Sequence, residues 1–285
     1  MTDRILVPTD GSEGATAALE YAIEFARTRE ATLHVLYVVD TTRDGLTASA
    51  EDVLEVYERT GAETVAAAAE RARERGVSAL EVVDRGDPHA VVREYADEQD
   101  IDLVVMGTHG RRGLERFFLG SVTERVVRTS PVPVLTVKAE RSGTYPLEDV
   151  VVATDGSECA RAAIERGVAM AAADGATVHL LSVVDVTVGG GDVTTGELFE
   201  GLEAATLEIL EEASEVATAA GAPAVVTALE VGRVASEITA YAQEHEADAI
   251  VVGTHGRRGI ERYLMGSVAE RVVRTADRPV MTVRQ

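Results

Sequence analysis

The chain reads as two tandem α/β domains, each an open, doubly wound sheet of five parallel strands. Three observations predict this: a whole-domain internal repeat, short β-branched runs alternating with longer helical patterns, and strand runs that are apolar throughout. The repeat is plain in the residues. Thr9-Asp10-Gly11-Ser12-Glu13 returns as Thr154-Asp155-Gly156-Ser157-Glu158, and residues 107–129 return as 253–275 with 18 of 23 positions identical. In that stretch Leu114, Phe117, Phe118, Leu119 and Thr123 differ from their counterparts. A length of 285 residues suits two domains of roughly 150. Between them Ser142, Gly143, Thr144 and Pro146 are turn and breaker residues, which sets the domains at 1–140 and 146–285.

In the first half the strands are expected at 5–9, 32–39, 79–84, 103–106 and 134–137. Helices are expected between them at 12–28, about 50–75, 88–99 and 121–128. The first carries Ala15, Ala18, Leu19, Ala22, Ile23 and Ala26 on one face, with Ser12 as its N-cap. Pro88, following Asp87, takes a first helical position. Leu103-Val104-Val105-Met106 is apolar without a break, as a parallel strand covered on both faces should be. The second half repeats the scheme with strands at 150–153, 177–184, 225–230, 249–252 and 279–283. In such a sheet ligands bind beyond the strand C-termini at the switch point, which directs attention to the residues after strands 1 and 4.

Composition narrows the function classes. A formal charge of −22, acidic in both halves, excludes a sequence-independent grip on nucleic acid or an anionic membrane surface, so any anionic ligand must be held locally. Lys138 is the single lysine beside 26 arginines, and this bias together with the acidic excess resembles proteins of extreme halophiles. Cys159 is the only cysteine and cannot form an internal disulfide; Met1 runs almost directly into Ile5-Leu6-Val7, leaving no room for a leader. No stretch reaches the ~20 apolar residues of a membrane span. A soluble cytoplasmic protein is expected.

After strand 4 comes Gly107-Thr108-His109-Gly110-Arg111-Arg112-Gly113, and then Gly120-Ser121 opens the last helix. The spacing G-x2-G-x9-G-S recurs at Gly253, Gly256, Gly266 and Ser267. Glycines let backbone N–H groups approach a phosphate, and a helix start adds free donors and a partial positive charge. Ser121 is placed to donate to the same phosphates and Arg111 or Arg112 to screen them. The bland alternative is a tight turn followed by an N-cap serine. A P-loop is excluded because it needs a lysine there, and a dinucleotide fingerprint because strand 1 is followed by Asp10-Gly11-Ser12-Glu13-Gly14.

On these motifs each half resembles an ATP-binding universal stress protein domain, a Rossmann-like fold of the adenine nucleotide alpha hydrolase type, and the whole resembles a tandem member. That resemblance implies that Asp10 contacts ribose, that Pro8 and Thr9 flank the base, and that Val38 offers backbone hydrogen bonds to adenine. It implies that Gly107 lies by the ribose and that His109, Gly110, Gly120, Ser121, Val122 and Thr123 surround the triphosphate. The matching positions in the second half are Thr154, Asp155, Val183, Gly253, His255, Gly256, Gly266, Ser267 and Val268. Ala153 replaces Pro8 and Ala269 replaces Thr123, so the second site is expected to lose a hydroxyl near the phosphates. The cofactors implied are ATP and Mg²⁺ held through its phosphates. Pairing of the two last strands as an internal pseudo-dimer, further association into a homodimer and a protein partner of unknown kind are also implied.

The implied role is stress-response or regulatory nucleotide binding. A slow ATPase or a phosphotransferase modifying its own Ser121 or Thr123 stands as the enzymatic alternative, although no general base or metal carboxylate pair is evident in the sequence unless Asp10 serves. AMP or a cyclic nucleotide remains open as ligand, whereas a flavin is disfavoured by four Phe, seven Tyr and no Trp. His34 and His179, inside strand 2 of each half, read as structural, and Cys159, whose counterpart is Gly14, as a bystander. Neither half offers His109 or His255 a second His or Cys at metal-ligand spacing.

Overall fold

The computed structural model describes residues 3–42, 51–110, 119–139, 145–185, 196–256 and 265–284, with the side chains of 51–53 and 197–198 left aside. The chain divides into two compact units, Met1–Ser142 and Gly143–Gln285. The first unit runs β1 (Arg4–Pro8), α1 (Glu13–Arg27), β2 (Thr32–Asp40), α2 (Glu51–Glu74), β3 (Ala79–Gly86), α3 (Pro88–Glu98), β4 (Leu103–Gly107), α4 (Ser121–Thr129) and β5 (Val134–Val137). Its strands pair in parallel in the order β3-β2-β1-β4-β5. The second unit runs β6 (Asp149–Ala153), α5 (Glu158–Ala172), β7 (Thr177–Asp185), α6 (Glu197–Ala219), β8 (Ala224–Gly232), α7 (Val234–Glu244), β9 (Ala249–Gly253), α8 (Ser267–Thr275) and β10 (Val280–Val283). Its order is β8-β7-β6-β9-β10, again parallel. The doubly wound class read from the sequence is thus the class observed.

The chain crosses from β1 to β2 on one side and reaches β4 on the other, so the switch point lies between β1 and β4. Every residue of β4 is buried, in keeping with its unbroken apolar run. Against the other face, α1 buries Ala15, Ala18, Leu19, Ala22, Ile23 and Ala26 as its stripe demands, together with Tyr21 and Phe25. Ser12 caps α1 by accepting from the Ala15 N–H at 3.2 Å, and Asp87 caps α3 at Pro88 by accepting from the His89 N–H at 3.3 Å.

Strand limits differ from the sequence expectation where pairing, which is non-local, decides them. The third strand extends to Gly86 because β2 keeps its register through Asp40 opposite Gly86, and β8 extends to Gly232 opposite Asp185 for the same reason. The first strand ends at Pro8, one residue early, although the Thr9 N–H still donates to Leu36 O at 2.8 Å. At the opposite end of the sheet an aspartate clamps each unit: Asp102 Oδ2 accepts from the N–H groups of Asp3 and Arg4, and Asp248 Oδ2 from those of Glu148 and Asp149.

His34 is buried, its Nδ1 lying 2.9 Å from Tyr95 Oη, and His179 Nδ1 lies 3.0 Å from Tyr241 Oη. Both histidines are structural, as their strand positions predict.

A candidate nucleotide site at each switch point

In the first unit two loops meet beyond β1 and β4. The β1 loop turns at Gly11 with φ of +76°, a conformation glycine adopts without strain. Thr9 Oγ1 accepts from the Gly11 N–H at 3.2 Å, and Asp10 Oδ1 accepts from the Ser12 N–H at 3.0 Å. Those bonds turn the second carboxylate oxygen toward the β4 loop: a Cβ on Gly110 would stand 2.7 Å from Asp10 Oδ2. Two residues 100 apart in sequence are thereby in contact because one of them has no side chain.

The base of the β4 loop is closed by the Gly120 N–H, which donates to Thr108 O at 2.8 Å. Gly120 is the N-cap of α4 and contributes no side-chain cap, so Ser121 is the first helical residue. The N-cap serine of the bland alternative is not what the fold builds. The first N–H groups of a helix have no intrahelical partner, and here the exposed Ser121 and half-buried Val122 present theirs at the loop mouth.

Thr123 is the third residue of α4. It is buried, and its hydroxyl donates to Gly107 O at 2.8 Å, tying α4 to the end of β4. The hydroxyl is committed to the backbone, so its loss in the second unit, where Ala269 is buried at the same place, removes a tie between elements.

His109 Nδ1 lies 2.9 Å from Thr108 Oγ1, which fixes the ring, while its Nε2 is buried and finds no hydrogen-bond partner among the described residues. The second unit repeats this: Thr254 Oγ1 lies 3.0 Å from His255 Nδ1, and His255 Nε2 is buried and unpartnered in the same sense. A buried polar atom left unsatisfied once invites several explanations; the same atom left so in two copies of one loop fits an absent ligand.

The rest of the second site also follows. Asp155 Oδ1 accepts from the Ser157 N–H at 3.0 Å, a Cβ on Gly256 would stand 2.6 Å from Asp155 Oδ2, and the Gly266 N–H donates to Thr254 O at 2.8 Å. Thr154 is buried and its Oγ1 accepts from the Gly156 N–H. Val268, matching Val122, is 38% exposed. Ser267 is the first residue of α8.

Val38 and Val183 lie where β2 and β7 run past the ends of β1 and β6: Pro8 pairs with Leu36 and Ala153 with Leu181, two residues earlier in each case. Both valines are half-buried. Arg111 and Arg112 lie outside the described residues.

One contact behind the loop escaped the sequence reading. Gly107 packs on the first turn of α1: a Cβ there would fall 2.5 Å from Gly14 C and O, and a Cβ on Gly14 would run into His109 O. In the second unit Cys159 stands where Gly14 does, and the corresponding distance from Gly253 to Cys159 C is 3.1 Å. The helix is set back to admit the thiol, which is buried with Sγ 3.3 Å from Val283 O. The repeated Gly-Thr-His-Gly was the legible signal for the histidine; the Gly14 contact had none, since only one copy keeps the glycine.

The model of the universal stress protein family matches residues 1–138 and again 146–284. The chain belongs to the universal stress protein family. Among curated members, universal stress protein MJ0531 of Methanocaldococcus jannaschii is 39% identical over 138 residues, covering 47% of this chain and 81% of its own length. Universal stress protein YxiE of Bacillus subtilis is 30% identical over 148 residues, covering 48% of this chain and 100% of its own length. A crystal structure of a universal stress protein from Archaeoglobus fulgidus matches the whole chain, 100% of this one and 97% of that one, with a TM-score of 0.77 at 25% identity. Among the described residues no helix is long and apolar enough to cross a membrane.

Proposed function

We propose that each unit of this universal stress protein binds an adenine nucleotide, ATP in the first instance, and that occupancy serves a regulatory, stress-response role. The observation that carries the reading is the convergence, made twice, of an aspartate, a loop glycine that approaches its carboxylate closely and a helix start without a side-chain cap. Asp10 and Asp155 suit ribose hydroxyls as acceptors, and the overhanging Val38 and Val183 offer backbone groups to the base edge. The donors of Gly110, Ser121 and Val122, with His109 Nε2, suit phosphate oxygens, as do their counterparts in the second unit. Mg²⁺ would ride on the phosphates and water.

Acid denaturation of protein purified without added nucleotide, followed by mass spectrometry of the released small molecules, tests this. ATP at about two per chain is expected when both sites fill, and about one would implicate the Ala153 and Ala269 differences. Release of AMP or a cyclic nucleotide would keep the site and change its ligand. No adenosine compound, together with no heat of ATP binding in the presence of Mg²⁺, would refute the reading.

A further inference from the structure

The two units differ at the outer seam between the long helix and the edge strand. In the first unit arginines close it. Arg73 Nη1 lies 2.8 Å from Glu81 Oε1, its Nη2 donates to Ala79 O at 2.9 Å, and Arg85 Nε pairs with Glu58. Both guanidinium charges are met by carboxylates.

Strand register gives the equivalent positions in the second unit. His34 pairs with Leu80 and His179 with Val226, so Thr227 stands in place of Glu81 and Val231 in place of Arg85. The helix ends are equated by the Val77 N–H to Ala72 O bond and the Ala222 N–H to Ala217 O bond, which puts Thr218 in place of Arg73. Both arginines are gone. What remains is a groove of about 710 Å³ lined by Leu207, Leu210, Glu211, Glu215, Thr218 and Thr227. Leu207 is 54% exposed and Val231 39%. The helix α6 carries seven glutamates and no Lys or Arg, and among the described residues Glu211 and Glu215 make no ion pair.

We propose that this groove docks a cationic amphipathic segment of another protein, whose Arg or Lys side chains supply in trans what Arg73 and Arg85 supply within the first unit. Apolar side chains of the segment cover the exposed Leu207, and its cations meet Glu211 and Glu215, which stand one helical turn apart. A free cation leaves Leu207 uncovered. A second copy of this chain would bring one acidic α6 against another, and like charges across an interface disfavour it.

The test uses the full chain and a labelled helical peptide with Leu at i, i+3 and i+7 and Arg beside them, followed by fluorescence anisotropy. Thr218→Arg with Thr227→Glu rebuilds the closed seam at constant net charge and is expected to weaken binding at least about tenfold, with an unchanged melting curve. Glu211→Gln with Glu215→Gln should weaken it comparably, while Asp97→Asn with Glu98→Gln, an equal charge change on α3, should not. Equal losses in that control, wild-type binding by the rebuilt seam, or no binding at all would each overturn the proposal. Concentration-dependent self-association abolished by the rebuilt seam would do so too, by making the occupant a second copy.

Discussion

Gly110 shows how one missing side chain can carry a site. Its Cα faces Asp10 Oδ2 so closely that a methyl group would stand 2.7 Å from the oxygen, and relief requires the carboxylate or the loop to move. Gly110→Ala is expected to abolish nucleotide binding at the first site and leave the second, halving the stoichiometry seen by calorimetry. His34 gives a second residue-level expectation. Burial, and then the nearby Arg4 charge, lower its pKa below the ordinary imidazole value of about 6.5. On acidification the unfolded chain takes up the proton first, so the stability owed to neutral His34 is complete above about pH 6.5 and is lost as pH falls from there toward the lowered folded value. Proton NMR titration of the imidazole should show the depressed pKa, and Arg4→Gln should raise it partway. The second unit places Asp149 where Arg4 stands, with Oδ1 2.8 Å from His179 Nε2, so the two buried histidines sit in opposite electrostatic surroundings.

At the scale of elements, the tie between α4 and β4 separates the units. The Thr123 hydroxyl holds Gly107 O inside the first unit, and Thr123→Ala leaves that buried carbonyl without this donor. A loss of about 1–2 kcal/mol in urea unfolding is expected, with only a small change in nucleotide affinity. A large loss of affinity at unchanged stability would instead return the hydroxyl to the phosphates. The spacing G-x2-G-x9-G-S made the loop and helix start visible in the sequence. The direction of the threonine was not visible, because it depends on how far α4 rolls over the end of β4. Strand limits behaved likewise: apolar runs located β3 and β8, and pairing with β2 and β7 lengthened them.

For the whole molecule the dominant quantity is charge. With 27 basic against 49 acidic residues, self-repulsion opposes compactness in dilute buffer. At about 1 M salt the screening length falls to about 3 Å, which relieves this repulsion. The exposed pairs, such as Arg71 with Glu20, weaken too, but such pairs contribute little individually. A thermal melt is therefore expected to rise in molar KCl, as the compositional resemblance to halophile proteins implies. A flat or falling melting temperature would remove it.

The sequence by itself determined the tandem organisation, the parallel doubly wound class and the position of the loops after the first and fourth strands of each unit. Those are carried by periodicity, by repetition and by glycine spacing, all of which are local in the chain. Tertiary structure decided what depends on distance: that Asp10 and Gly110 touch, that Thr123 turns inward, that Gly14 and Cys159 set different gaps behind the loop, and that one seam is closed by arginine while its twin is open. Each is a contact between residues far apart in sequence, fixed by how helices settle on the sheet, and a pattern of residue types does not encode that seating until the strands have found their register.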